Sequence, residues 1–509
     1  MTQPTDSGVT VEPAAASDPL VVALDVGTSS ARTVIYDSGG RSVRGWLFQR
    51  QYDVQTTPDG GATLDPEALR EAVWSNLDAA SRAAAGAGRE IRIVAADTFW
   101  HSVLGVDRSL RPVTPIFTWA DVRAAPAAGK LQTLLSEPDV HSRTGCGIHS
   151  SYLPAKLLWL ADTQPDLFRK AAYWMSFGEW LYATIFGERL VSVSMASGTG
   201  LLDQVSMRWD TEILSVLPIR ETQLSSLVDY GESAGALSAE YARRWPALSR
   251  AVWFQPLGDG ACNNVGAAGT GDDLAVVMIG TSGALRIVKR AREGPLPADL
   301  WTYRVDREFF VQGGALSAGG NVAAWLESTL RLPQLHDLEL ALAKRPPDEH
   351  GLTVLPFLAG ERSPDWNPRA TGAIVGLRLH TTAEDIALAT FEAIAYRFFH
   401  IYGMLRERVG APAGVIGSGA GLANAPVWMQ IMSDVLGTPI TASRVPEATS
   451  RGAAVLGLRA AGASAELAAC SGPLGMKYAP RPERREAYAA AIERQQRLYD
   501  LLMEGTREG

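Results

Sequence analysis

The sequence predicts an α/β layered fold built twice. Strands alternate with helices along the chain. A hairpin motif, ALDVGTSSARTVIY at Ala23–Tyr36, returns as VVMIGTSGALRIVK at Val276–Lys289, and each copy opens one half of the chain. The offset from Gly27 to Gly280 is 253 residues, far too long for a solenoid period and suited to two pseudo-symmetric domains. With 509 residues, 46% of them hydrophobic, the chain can fill two cores.

Each element follows from its local pattern. Leu20–Asp25 and Arg32–Tyr36 pair as strands about a Val-Gly-Thr-Ser-Ser turn. Asp65–Ala85 carries apolar residues at helical spacing, and Ile91–Ala96 is a short buried strand. Pro154–Asp162 and Asp166–Phe186 read as helices, and Asp210 or Thr211 caps another. After Pro256 the text turns to LGDGACNNVGAAGTG, a loop without periodicity at its start, which places a domain boundary near residues 265–272. The second half then reads as the Leu274–Val288 hairpin, strand Phe309–Gly313, helix Ser317–Leu330, strand Leu352–Leu355 and helix Glu384–Val409. Strand Gly414–Ile416, helix Ala425–Leu436, strand Pro439–Thr441 and helix Gly452–Ala461 follow. Met1–Asp18 is expected to be a disordered tail and, lacking a basic start and an apolar centre, not a signal peptide. Pro480–Glu508 is expected to be a surface helix.

A net charge of −8 and a pI near 5.5 argue against nucleic-acid and anionic-membrane partners. A small anionic substrate stays compatible, since a pocket can be basic on an acidic protein. Cys146, Cys262 and Cys470 are too few and scattered for a disulfide framework or a zinc cluster, so a reducing cytoplasm is expected. No apolar run reaches the ~18 residues that a membrane span needs.

The repeated turn carries the chemistry. Consecutive Gly, Thr and Ser bring backbone N–H groups and short hydroxyls into one small space, which suits phosphate. Neither a Walker loop nor a GxGxxG turn is present. Two such turns, one from each half, are expected to grip one nucleotide across an interdomain cleft. The first copy has Asp25 where the second has Met278. One carboxylate suffices for a hydrated Mg²⁺ at a triphosphate, and Met278 leaves its side to adenosine and phosphate. Asp259, the acid in GDGACNN, is placed to accept the proton of an attacking hydroxyl, with the alternative that it only bonds its own turn.

Five segments in order then carry a resemblance: DVGTSSAR at Asp25–Arg32, GDGA at Gly258–Ala261, GTSGALR at Gly280–Arg286, PFLAGERSPDWNPRATGAIVGL at Pro356–Leu377 and GSGAGLANAPVWMQIMSDVLG at Gly417–Gly437. With these the chain resembles the FGGY family of carbohydrate kinases, within the actin-like ATPase superfamily. The resemblance implies two ribonuclease-H-like domains with ATP and Mg²⁺ in the interdomain cleft, Asp259 as the base, and a small-molecule sugar or sugar-acid substrate. It implies phosphate contacts from Thr28, Ser29, Arg32 and Thr281, and nucleotide contacts from Gly320, Gly421 and Asn424. Ala324 and Ala425 stand where some relatives use a glutamine and an asparagine. A homodimer is the family's implication for assembly. The implied organisation is a tail at 1–18, a sugar-binding N-terminal domain with the first phosphate loop at 19–266, a nucleotide-binding C-terminal domain at 267–480, and a helix at 481–509.

Within the family, WHSVLGVD at Trp100–Asp107, PIFTWADVR at Pro115–Arg123 and ASGTGLLD at Ala196–Asp203 resemble gluconate kinases. Trp100-His101 stands where glycerol kinases show Arg-Glu, and Ser151 where they show Tyr, which argues against glycerol. His101 fits a gluconate or a ketopentose pocket, so a xylulokinase or other polyol kinase is the alternative. Trp100 packs a sugar face or fills core. Asp121 and Arg123 line the pocket or pair with each other, and Lys156, at a helix start, hints at a partner. Asn263 and Asn264 are expected to hold the Asp259 turn. A reading of another class, a nucleotide-switched actin- or chaperone-like binding protein, is opposed by GDGA and His101.

Overall fold

The computed structural model describes residues 8–267, 274–290, 296, 300–367, 369–463 and 472–503. They form two compact units. Unit 1 contains the chain up to Gly266 together with Val288–Val311 and Glu447–Gly472; unit 2 contains Ala267–Ile287, Gln312–Pro446 and Pro473–Gly509. The contiguous division expected from sequence is therefore corrected: two later segments pack with the first unit. The helix Ala448–Ala460 makes its extensive contacts there, against the strands and helix of unit 1.

Unit 1 is built on strands β1 (Leu20–Val26), β2 (Ser30–Tyr36) and β3 (Ser42–Gln51), helix α1 (Pro66–Gly86), strand β4 (Ile91–Thr98), the two-residue strand β5 (Leu257–Gly258) and helix α2 (Asp259–Gly266). The sheet order is Thr10–Val11, β3, β2, β1, β4 and Val252–Trp253, with β5 also on β4. β1 and β2 pair antiparallel, whereas β4 runs parallel to β1 and β5 parallel to β4. Every residue of β1 is buried, as expected for a central strand covered on both faces. Asp65 caps α1, accepting from the amides of Glu67 and Ala68, and Asp210 caps Thr211–Val216.

Three local expectations are corrected. Residues 8–18 are not a loose tail: Thr10–Val11 pairs with Ser42 and Val43, and Val9 and Val11 are buried. Residues 1–7 lie outside the described residues. The ten-residue β3 escapes a periodicity reading because its register shifts against β2 and exposed residues, among them Arg44, Leu47, Arg50 and Gln51, do not alternate along it. GDGACNN is no loop: Gly258 ends β5 beside Thr98, and α2 begins at Asp259.

Unit 2 repeats the motif with β6 (Leu274–Ile279), strand β7 (Gly283–Arg290) as far as Ile287, helix α3 (Gly320–Thr329) and β8 (Gly414–Ser418). β6 pairs antiparallel with β7 and parallel with β8, and Ile440–Ser443 and Leu474–Tyr478 extend the sheet beyond β8. The helix Ala383–Val409 opens on a capping box from Thr382 and Asp385. The expected C-terminal surface helix, Arg485–Met503, buries one face through Tyr488, Ile492, Tyr499 and Met503. Asp348, His350 and Glu392 also gather in this unit. Their polar atoms are engaged by Arg494, Tyr396 and Tyr488 in a hydrogen-bonded structural network.

Candidate functional site

Sheet register places the first group of functional side chains. Arg32 on β2, Asp25 on β1 and Asp97 on β4 are successive cross-strand partners, Arg32 opposite Asp25 and Asp25 opposite Asp97. Paired residues share a face, so the three form one row near the C-terminal ends of parallel strands, where ligands bind in open α/β sheets. Asp259 follows β5 at the same end, and Glu447 lies just before the helix Ala448–Ala460. Arg32 Nη1 donates to Asp25 Oδ2 at 3.3 Å, and its Nε lies 3.6 Å from Glu447.

The row is charged and poorly solvated. Asp25 is 3% exposed and Asp97 fully buried. Burial raises the Asp25 carboxyl to about 6 against the pull of Arg32, with Glu447 and Asp259 adding to the rise. Burial raises Asp97 well above the carboxylate range, and Asp25 and Asp259 push it further. Asp259 is half-buried, and its Oδ1 accepts from the Gly260 amide at 2.8 Å.

These residues fit a divalent cation. The oxygens are hard donors, and Arg32 is the cation that pairs with Asp25 and Glu447 among the described residues. Such oxygen donors suit hard divalent ions. Asp25 would hold the ion, which when bound offsets phosphate charge.

The turn Gly27-Thr28-Ser29 follows Asp25. The Gly27 amide donates to Ser30 O, and Tyr52 OH donates to Gly27 O at 2.5 Å. Ser29 is exposed, while Thr28 Oγ1 accepts from Trp119 Nε1 at 3.3 Å.

Trp100 and His101 lie just beyond β4. A Cβ on Gly258 would sit 1.8 Å from the Trp100 ring, so glycine is required beside Asp259. Trp100 is 5% exposed and donates Nε1 to Ser194 O at 3.0 Å. It is therefore the wall that sets the Gly258–Asp259 backbone rather than an open platform for a sugar. His101 has φ of 62°, and its Nδ1 lies 2.5 Å from Gly198 O. A histidine in the left-handed region marks a backbone held by its surroundings. Lys156 supplies that hold, donating Nζ to His101 O at 2.9 Å and Ser151 O at 2.6 Å. Lys156 is 1% exposed. Burial lowers its ammonium to about 7, against Asp121.

Asp121 is corrected as a free sugar ligand. Arg123 engages both of its oxygens, at 3.0 and 2.6 Å, and Ala62 N donates to it at 3.1 Å. Arg123 is correspondingly committed. Asn263 does not brace the Asp259 turn; its Nδ2 donates to Thr449 Oγ1.

In unit 2 the second turn, Gly280-Thr281-Ser282, meets the start of α3. Gly320 N donates to Gly280 O at 2.8 Å and Asn321 N to Thr281 O at 2.9 Å. A Cβ on Gly320 would lie 2.5 Å from Gly280 O, and one on Gly421 2.9 Å from Ile279. Both glycines thus let backbone close on the hairpin. Asn424 follows in the same stretch, donating Nδ2 to Ala420 O at 3.2 Å. Thr281, Gly320 and Gly421 come together around one hairpin end.

Known proteins resemble this chain over most of its length. The N-terminal-domain model of the FGGY family of carbohydrate kinases matches residues 20–266, and its C-terminal-domain model matches residues 275–461. The chain belongs to the FGGY family of carbohydrate kinases. This FGGY kinase is 28% identical to a gluconokinase of Bacillus subtilis (strain 168) over 473 residues, 91% of each chain. It is 32% identical to a glycerol kinase of Leptothrix cholodnii over 469 residues, 86% of this chain and 89% of the relative. Solved structures of a ligand-bound xylulose kinase and a gluconate kinase of Lactobacillus acidophilus share the fold, with TM-scores of 0.88 and 0.87 at 24% identity. Each covers 95% of this chain and 98% of the relative's. The protein is thus a carbohydrate kinase of the two-domain, actin-like ATPase architecture. The family uses ATP with a divalent metal. Among the described residues no helix is long and apolar enough to cross a membrane.

Sequence reading of this FGGY kinase missed Asp97 and Glu447. The signal for Asp97 is an acid directly after the apolar run IVAA, but a strand end predicts no partner. Glu447 had no local signal.

Proposed function

We propose that this carbohydrate kinase transfers the γ-phosphate of ATP, with Mg²⁺, to D-gluconate, giving 6-phosphogluconate. The observation that carries the assignment of roles is Asp259, half-buried at the start of α2 beside Asp25 and Asp97. The acceptor hydroxyl attacks the γ-phosphorus in line, Asp259 takes its proton as the new O–P bond forms, and the bond from the γ-phosphorus to the β,γ-bridging oxygen breaks, with ADP leaving. General-base assistance of this kind contributes roughly 10²–10⁴ in rate. Thr28, Ser29 and Thr281 offer amides and hydroxyls to phosphate oxygens, while Gly320, Gly421 and Asn424 shape the nucleotide side. The reading requires both turns to meet one triphosphate, and the rest of the transfer rests on positioning and charge neutralisation.

Full-length similarity to gluconokinase supports a sugar acid. The Asp259→Ala variant should lose ATP-dependent phosphorylation by at least about 10²-fold while still binding ATP in a calorimetric titration. Near-normal turnover removes Asp259 from the mechanism. A coupled ADP-release screen against gluconate, xylulose, ribulose, glycerol and erythritol tests the acceptor. A selective response to a ketose replaces gluconate and leaves the kinase intact.

A further inference from the structure

We propose that Asp97 is the second carboxylate of a divalent-cation site shared with Asp25. The inference rests on the kinase reading above and extends it to a residue that the motif pattern does not include. Asp97 is fully buried near the end of β4, directly after the buried apolar run 93–96. Neither of its carboxyl oxygens accepts a hydrogen bond from an amide, hydroxyl or guanidinium among the described residues. Its close polar neighbour is Asp25, its register partner on β1. Packing gives no reason for an acid here, because an uncompensated buried carboxylate is strongly destabilising.

Two carboxyls side by side persist only when a proton or a cation lies between them. The cation is favoured by position. The row sits at the C-terminal strand edge where ligands enter, and the Thr28–Ser29 turn begins within three residues of Asp25. Magnesium-like ions use one or two carboxylates and keep several waters. Asp25 is also held by Arg32, which leaves Asp97 as the carboxylate with both oxygens uncommitted to any donor.

The test is Mn²⁺ binding followed by electron paramagnetic resonance, with ATP present, on the full chain and on Asp97→Asn and Asp97→Ser, each checked for folding by thermal melting. Both variants should weaken Mn²⁺ binding about tenfold or more, the scale on which lost support for a metal ligand is felt. Mn²⁺ affinity within twofold of wild type in either folded variant overturns the proposal and makes Asp97 a proton-sharing structural partner of Asp25. A wild-type chain that takes up no Mn²⁺ with ATP overturns the kinase reading, and this inference with it.

Discussion

Gly258→Ala is a small change at a position where the structure leaves no room. The added Cβ would lie 1.8 Å from Cε2 and 2.2 Å from Cζ2 and Nε1 of Trp100. Ordinary contact begins near 3.4 Å, so ring or strand must yield by more than an ångström. Neither is free to do so. Trp100 donates to Ser194 O and presses on Gly198, while Gly258 pairs with Thr98 and donates its amide to Ser194 Oγ at 3.2 Å. Overpacking of a well-filled core typically costs 1–3 kcal/mol; with both partners anchored, about 3 kcal/mol is expected. Because Asp259 is the next residue, turnover should fall by about 10², the effect of an ångström-scale misplacement. Urea denaturation and a coupled ADP assay with the acceptor chosen by the substrate screen measure the two effects. Trp100→Ala alone should cost about 3–5 kcal/mol. In that background Gly258→Ala should be nearly neutral, because the atoms it strikes are gone. Additive effects in this cycle, or wild-type stability and turnover in Gly258→Ala, would refute the claim that Trp100 sets the Asp259 backbone.

Two further predictions concern buried charge. Arg397, with no exposed side-chain surface, donates to Glu361 and, at 2.9 Å, to Asp365; burial raises Glu361 to about 7 against Arg397. Arg397→Met should destabilise by about 3–5 kcal/mol at pH 8. The loss should shrink at pH 5, since a raised carboxyl pKa costs stability only as pH climbs through it; equal losses at both pH values would contradict this. For Lys156, lowered from 10.5 to about 7, the unfolded chain binds the extra proton between those values. Its contribution therefore rises with pH across that window, by up to about 1.4 kcal/mol per unit, and is flat below it. Denaturation of wild type and Lys156→Met between pH 7.5 and 9.5 should show the slope only in wild type, and parallel curves would sink the assignment.

Much of this kinase is legible in its sequence. The repeated Gly-Thr-Ser hairpin, the acid in its first copy and the long helix ending at Val409 are local facts, written in spacing and in residues with narrow backbone preferences. Amphipathic periodicity and turn chemistry act over a few residues, so a sequence discloses them directly. Sequence alone thereby determined the α/β repeat and the place of its first Gly-Thr-Ser turn.

Tertiary structure decided what each of those residues meets. Asp97 joined the charged row through a register shared with Asp25, and Glu447 through the return of a distant segment into unit 1. Asp121 was taken by Arg123, and Trp100 by Gly258 and Ser194. Cross-strand pairing and buried-charge compensation depend on residues far apart in the chain, and no local pattern encodes which acid lies beside which. The polypeptide wrote the parts of the site; the sheet chose their neighbours.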